Sequence, residues 1–142
     1  MNAFTWAAAA AAAVAWGIAP LIEKAGLKGT QPMAGLFYRC LGVVLGMVFL
    51  LSFLVKPSQI KAVEMRSAIL LIAGGFLASI VGQIFFYNAL KVGDVSRVVP
   101  VSGSYPFIAF LLGVLLFGES MTALKLGGVL LVVAGVWLLK IG

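Results

Sequence analysis

Polar side chains stand inside otherwise apolar segments of this chain, and their chemistry suits the binding of a solute. Arg39 offers a guanidinium group about 10 Å into its segment, where it either reaches back to lipid headgroups or faces a watery cavity. Its neighbour Tyr38 could stack on it or hydrogen-bond a solute. Gln83 and Tyr87 are four residues apart and share a helix face. Gln83 would either join two helices or contact the solute.

A second group of candidates lies in the stretch "RVVPVSGSYPFIAF", residues 97–110. Pro100 and Pro106 lack the amide proton that a regular helix needs, and Gly103 lies between them. Hydroxyl groups come from Ser102, Ser104 and Tyr105. We expect a helix broken near the membrane midplane that offers carbonyls and hydroxyls to a solute. The alternative is a kink that only shapes packing.

The sequence contains few residues that could form a metal site, a disulfide or a catalytic centre. The chain has no His and one cysteine, so a His-based metal site, an intrachain disulfide and a zinc cluster are excluded. Its acids lie in loops or near helix ends: Glu23, Glu64, Asp94 and Glu119. We therefore expect no enzyme, no metal and no cofactor. The net charge of +6 is dispersed near the membrane, which favours contact with lipid headgroups and not with nucleic acid.

Long apolar runs are the elements that must position these side chains. Hydrophobic residues make up 63% of 142 positions, charged residues 10%, and the mean hydropathy is +1.19. About 20 helical residues cross a bilayer, and alternating barrel patterning is absent. The sequence predicts an all-α integral membrane protein, with one domain over 1–142 and five transmembrane helices. They are expected at about 4–22, 32–55, 67–90, 95–118 and 121–141.

Polar groups from the second, third and fourth of these helices are expected to converge on one cavity. Trp16, near the end of the first helix, would line the mouth of this cavity or belong to the interfacial aromatic belt.

The distribution of basic residues gives no clear orientation. One face of the predicted bundle carries Lys56, Lys61, Arg66 and Lys125, and the other carries Lys24, Lys28, Lys91, Arg97 and Lys140. Cytoplasmic loops normally have an excess of Lys and Arg, which sets the orientation of the chain. This division, four basic residues on one face and five on the other, predicts that the chain inserts in both orientations and forms an antiparallel homodimer. The alternative is that the one-residue difference, or the early Lys24 and Lys28, selects one orientation.

Three stretches resemble the EamA repeat of the drug/metabolite transporter superfamily. They are "AWGIAPLIEKAG", "MAGLFYRCLGVVLG" and the long segment from "GQIFFYNAL" to "GVWLL", and together they cover nearly the whole chain. The resemblance implies one five-helix EamA-type repeat, whose antiparallel pairing would rebuild a ten-helix carrier with an inverted repeat. The resemblance implies that six residues occupy structural or functional positions of the family: Trp16, Lys24, Arg39, Tyr87, Pro106 and Glu119.

The resemblance also bears on the acids. Related small multidrug exporters use a membrane-embedded glutamate, whereas Glu23 stands at a helix edge beside Lys24 and is expected to form a structural pair with it. Glu119 is expected to brace the loop before the last helix. Proton-coupled cation export is therefore disfavoured, and a neutral or anionic metabolite that engages Arg39 is the better expectation.

The sequence and the resemblance together favour a small-molecule carrier that works by alternating access as a dual-topology homodimer. The expected location is a multi-pass position in the cell membrane of a prokaryote. Two alternatives remain open: a lipid-linked sugar flippase, and a non-transporting subunit of a heterodimer with a paralogue.

Overall fold

A computed structural model describes residues 3–141 of the chain; the side chain of Lys140, one of the charges counted above, lies outside what is described, as do residues 1, 2 and 142 of the expected domain. Helices are the regular elements of this described part, which confirms the all-α class. The chain divides into two compact units, Met1–Val92 and Gly93–Gly142, and each is described by itself.

The first unit contains three long helical segments. Helix α1 spans Ala3–Gly26, and α2 spans Pro32–Phe49 and continues as a π-helical segment over Leu50–Leu54. A short helix α3, Pro57–Lys61, leads to α4, Met65–Phe76. A π-helical turn, Leu77–Val81, joins α4 to α5, which spans Gly82–Val92. The third segment is thus one helix with a widened turn in its interior.

Local sequence explains where these segments begin and turn. Pro32 stands in the first turn of α2, where its missing amide proton costs nothing. Gly29, in the turn between α1 and α2, has a φ of 75°, a left-handed conformation that glycine adopts without strain. Pro20 lies inside α1 and is buried.

The second unit begins with α6, Val95–Ser102, followed by α7, Tyr105–Phe117, and α8, Ala123–Ile141. Gly118 ends α7 in the left-handed conformation, with a φ of 64°. The amide of Glu119 then donates to the carbonyl of Gly113 at 3.2 Å. This turn separates α7 from α8.

Within residues 3–141, four helical segments are long and apolar enough to cross a membrane: Ala3–Gly26, Pro32–Leu54, Met65–Val92 and Val95–Phe117. A shorter apolar helix covers Ala123–Leu139. The chain is therefore a multi-pass membrane protein. The expected boundaries agree within a few residues for these elements, except that α1 runs on to Gly26 and the fourth segment is interrupted.

Candidate functional site

An ion pair joins α1 to α2 in the first unit. The Arg39 Nε donates to Glu23 Oε1 at 3.2 Å, and the two side chains are 25% and 18% exposed. The sequence placed Glu23 with Lys24, but neighbouring residues on a helix do not face each other, whereas Glu23 and Arg39 come from facing helices. Glu23, which the sequence predicted as a structural position, thus pairs with Arg39 instead of Lys24.

The guanidinium of Arg39 also approaches the third helical segment. Its Nη1 lies 3.5 Å from the carbonyl oxygen of Ser79, at the outer limit of a hydrogen bond. Ser79 belongs to the π-helical turn Leu77–Val81, and such turns are frequent at functional sites. Arg39 therefore contacts both α1 and the widened turn of the third segment.

Tyrosines complete the polar surroundings of the pair. Tyr87 on α5 is 2% exposed and lines the same pocket as Glu23 and Arg39. Tyr38, next to Arg39 on α2, is exposed and meets the ring of Phe37 edge-on at a centroid distance of 5.7 Å. One buried and one exposed phenol therefore flank the charged groups.

These residues surround a cavity of about 320 Å³. Its lining consists of Glu23, Gly26, Leu27, Thr30, Gly35, Tyr38, Arg39 and Tyr87. Ligand sites of proteins usually measure about 300–1,000 Å³, so this cavity suits a compact solute. Gly35 allows the close approach, because a side chain there would meet Leu27 and the ring of Tyr87.

The cavity lies toward one end of the helices that form it. Arg39 stands seven residues after Pro32, about 10 Å along α2, and Tyr87 stands five residues before the end of α5, about 7 Å from it. Glu23 is three residues from the end of α1. Glu23 and Tyr87 therefore lie near the ends of their apolar segments, whereas Arg39 lies deeper, about 10 Å inside its own segment.

Two lysines hydrogen-bond the C-terminal ends of α1 and α5 to each other beside this cavity. The Nζ of Lys24 donates to the carbonyl of Leu90 at 2.5 Å and to that of Lys91 at 3.2 Å. In return, the Nζ of Lys91 donates to the carbonyl of Leu27 at 2.7 Å. Cations are favourable at helix C-termini, where backbone carbonyls lack helical partners. The backbone carbonyls at each helix end thus accept hydrogen bonds from the lysine of the other helix. We call this arrangement of Lys24 and Lys91 the lysine clamp.

The structure brings Tyr38, Arg39 and Tyr87 together at the cavity, but Trp16 and Gln83 are not among its lining residues. Trp16 is 67% exposed. The Oε1 of Gln83 is buried and accepts no hydrogen bond from the described residues. An amide oxygen without a partner inside an apolar helix suits a contact with another helix, which was one of the two roles expected for it.

The hydroxyl residues of the fourth segment belong to the second unit. Helix α6 contains Pro100 and ends at Ser102, and α7 begins at Tyr105, so Gly103 and Ser104 form the break. Pro106 falls in the first turn of α7, where proline is tolerated, and therefore does not itself interrupt a helix.

Hydrogen bonds at this break stay within the segment. The amide of Gly103 donates to Val99 at 2.7 Å, and the hydroxyl of Ser104 donates to the carbonyl of Val101 at 2.7 Å. The hydroxyl of Ser104 thus satisfies a local backbone carbonyl, as hydroxyls do where a helix is interrupted in a membrane. Ser102 and Tyr105 are exposed.

Glu119 lies in the turn after α7. Its carboxylate atoms lie 3.2–3.4 Å from the point where a Cβ on Gly113 would stand. Gly113 is buried, so its lack of a side chain makes room for Glu119. Among the residues that the structure describes, no group of three or more His, Cys, Asp and Glu side chains could hold a metal ion.

Comparison with known proteins adds a family assignment. A family model described as the EamA-like transporter family matches residues 4–141. An uncharacterized transporter of Archaeoglobus fulgidus is 23% identical over 128 residues, which cover 90% of this chain and 45% of that protein. An uncharacterized protein of Methanocaldococcus jannaschii is 26% identical over 132 residues, which cover 91% of this chain and 90% of that protein. No solved structure matches the chain.

Proposed function

Because the chain belongs to the EamA-like transporter family, we propose that it is a membrane carrier that binds a compact solute in the cavity around Arg39. The observation that carries this proposal is the placement of Glu23 and Arg39. Ionisable side chains inside membrane segments are costly, and those that persist usually mark solute or ion pathways. Here both line one cavity within apolar helices.

The carrier is proposed to function as an antiparallel homodimer by alternating access. The nearly even division of Lys and Arg between the two faces supports insertion in both orientations. The chain spans 45% of the first relative and 90% of the second, so segments of this size occur both as part of a longer transporter and as most of a chain. Two inverted copies would form the pseudo-symmetric arrangement that alternating access uses.

In this proposal the whole chain acts as one five-helix domain, with Ala123–Ile141 as the fifth span. The membrane is proposed to be the cell membrane of a prokaryote, which the archaeal source of both relatives supports. The break at Gly103–Ser104 would serve as the hinge of each subunit, since helix breaks in carriers absorb the change between the two access states.

Flux through reconstituted protein tests the carrier. Purified protein in liposomes is supplied with a pool of labelled metabolites, and uptake is compared between wild type, Arg39→Gln and Arg66→Gln. Arg66 is an exposed charge at the start of α4 and serves as the matched control. We expect Arg39→Gln to abolish uptake and Arg66→Gln to leave it unchanged. Equal uptake by all three proteins would refute the assignment of the cavity.

The same preparation separates the alternatives. Transfer of a lipid-linked sugar between leaflets without uptake of any soluble solute would identify a flippase. Uptake only after addition of a paralogous chain would identify a heterodimer.

Labelling tests the orientation. In a Cys40→Ala background, single cysteines replace Gln31 or Ser58, two exposed uncharged residues on opposite predicted faces, so that the number of basic residues on each face is unchanged. A membrane-impermeant maleimide added to intact cells should label about half of each population if insertion is dual. Full labelling of one position and none of the other would remove the antiparallel homodimer.

A further inference from the structure

One negatively charged and one positively charged side chain line the cavity. Glu23 and Arg39 are the two charged residues among the eight that line it, and both side chains are partly exposed toward it. Their contact is a single one, between Nε and Oε1. A guanidinium has five N–H donors and a carboxylate has two acceptor oxygens, so one contact leaves each group able to bind a further partner.

Charge balance limits which solutes can enter such a cavity. An anion that took the place of Glu23 on Arg39 would leave the Glu23 carboxylate without its counter-charge inside an apolar segment. A cation bound to Glu23 would likewise leave the Arg39 guanidinium without its counter-charge. Breaking one side of a partly buried pair is costly in both cases, because the remaining charge cannot regain its water.

A solute that carries both charges avoids this cost. Its anionic group replaces Glu23 on Arg39 while its cationic group replaces Arg39 on Glu23, and the sum of charges in the cavity stays zero. The rings of Tyr38 and Tyr87 line the same space and add a favourable surface for a cation. The neighbouring ammonium groups of Lys24 and Lys91 are directed to backbone carbonyls in the lysine clamp.

We propose that Glu23 and Arg39 together select a compact zwitterionic solute, with the anionic group on Arg39 and the cationic group on Glu23. This inference rests on the proposed function, because it names the class of solute for the same cavity. It assigns Glu23 the role of a specificity-determining residue, whereas the sequence predicted a structural one. It differs from the anionic metabolite expected from Arg39 alone, since that expectation did not include the carboxylate beside the guanidinium.

Three probes of nearly the same shape test the selection. Glycine betaine carries both charges, choline carries the cation alone, and tert-butylacetate carries the anion alone; glycine adds a zwitterion with an ammonium group. Equilibrium binding of each labelled probe is measured on the full-length protein in lipid nanodiscs. We expect wild type to bind at least one zwitterion about tenfold or more tightly than either singly charged probe, a difference of about 1.4 kcal/mol.

Charge variants then assign the two groups. Glu23→Gln should lose the preference for the zwitterion and gain affinity for tert-butylacetate, and Arg39→Gln should gain affinity for choline. Glu64→Gln, which removes an exposed acid just before α4, is the matched control and should bind as wild type does. The double variant Glu23→Arg with Arg39→Glu keeps the ion pair with its charges exchanged and should restore zwitterion binding. Its binding would show that the single variants lose their preference through charge and not through unfolding.

Several results would overturn the proposal. Tighter binding of a singly charged probe by wild type would do so, and so would an unchanged zwitterion preference in Glu23→Gln. Binding of none of the four probes would also overturn it. In that case uptake of another solute by the reconstituted protein, lost in Arg39→Gln, would leave the carrier itself standing, so the two proposals fail separately.

Discussion

The substitution Gly35→Ala tests the packing that forms the cavity. A Cβ on Gly35 would lie 2.6 Å from Cδ2 of Leu27 and 3.4 and 3.5 Å from two ring carbons of Tyr87. Leu27 and Tyr87 are each 2% exposed. The methyl group of alanine therefore enters a space that is already filled by buried side chains of the first unit.

The magnitude follows from the displacement that the methyl group requires. Bringing the 2.6 Å distance to the ordinary contact of 3.4 Å moves Cδ2 of Leu27 by 0.8 Å. Extra methyl groups in packed interiors cost about 1–3 kcal/mol, and replacing a helical glycine by alanine returns about 0.5–1 kcal/mol. Because the displaced atom ends a flexible side chain, we expect a net destabilisation of about 1 kcal/mol.

Unfolding in detergent micelles measures this difference. Wild type, Gly35→Ala and Gly42→Ala are titrated with a denaturing detergent, and helix content is followed by circular dichroism. Gly42 lies on the same helix, and no atom within 4 Å would meet its Cβ, so it is the matched control. Gly42→Ala should be as stable as wild type or more stable by up to about 1 kcal/mol.

A second substitution isolates the steric cause. Leu27→Val removes the δ-carbons of Leu27, so Gly35→Ala should cost less in its presence, with a coupling free energy of about 0.5 kcal/mol or more. Equal stability of Gly35→Ala and Gly42→Ala, or strictly additive effects of Gly35→Ala and Leu27→Val, would refute the packing around the cavity.

Further substitutions test the clamp, the turn after α7 and the buried phenol. Lys24→Met should lower the free energy of unfolding by about 1–2 kcal/mol in the same titration, because carbonyls of α5 lose a charged donor, while exposed Lys28→Met should change it little. Gly118→Ala should cost about 1 kcal/mol, since alanine is strained at a φ of 64°, and Gly127→Ala on α8, which meets no atom within 4 Å, should not. Tyr87→Phe should reduce solute uptake without unfolding the protein, because it removes the hydroxyl of a residue that lines the cavity; unchanged uptake would contradict a role for that hydroxyl.

Local properties of the sequence were enough to predict the class of this protein. The lengths of the apolar runs and the near absence of charge within them indicate helices that cross a membrane, because every backbone polar group in lipid must find a partner within its own segment. The same local criterion singled out Arg39, Tyr38 and Tyr87, which stand out as polar groups in apolar surroundings and line the cavity of the structure.

Contacts between helices could not be predicted in the same way. Adjacency in the sequence suggested Lys24 as the partner of Glu23, but the structure places Glu23 opposite Arg39, 16 residues away. Lys24 and Lys91 donate to backbone carbonyls of distant helix ends, and a carbonyl leaves no mark in the sequence because every residue has one.

The sequence by itself determined that the chain is a helical membrane protein with an arginine inside an apolar segment and tyrosines as further polar candidates, since these are matters of composition and spacing. The tertiary structure alone decided that a carboxylate accompanies the arginine, that the cavity lies toward the helix ends, and that Gly35 makes room for it. Those features depend on which faces of separate helices meet, and close packing between helices is a property of pairs of surfaces that no single segment specifies.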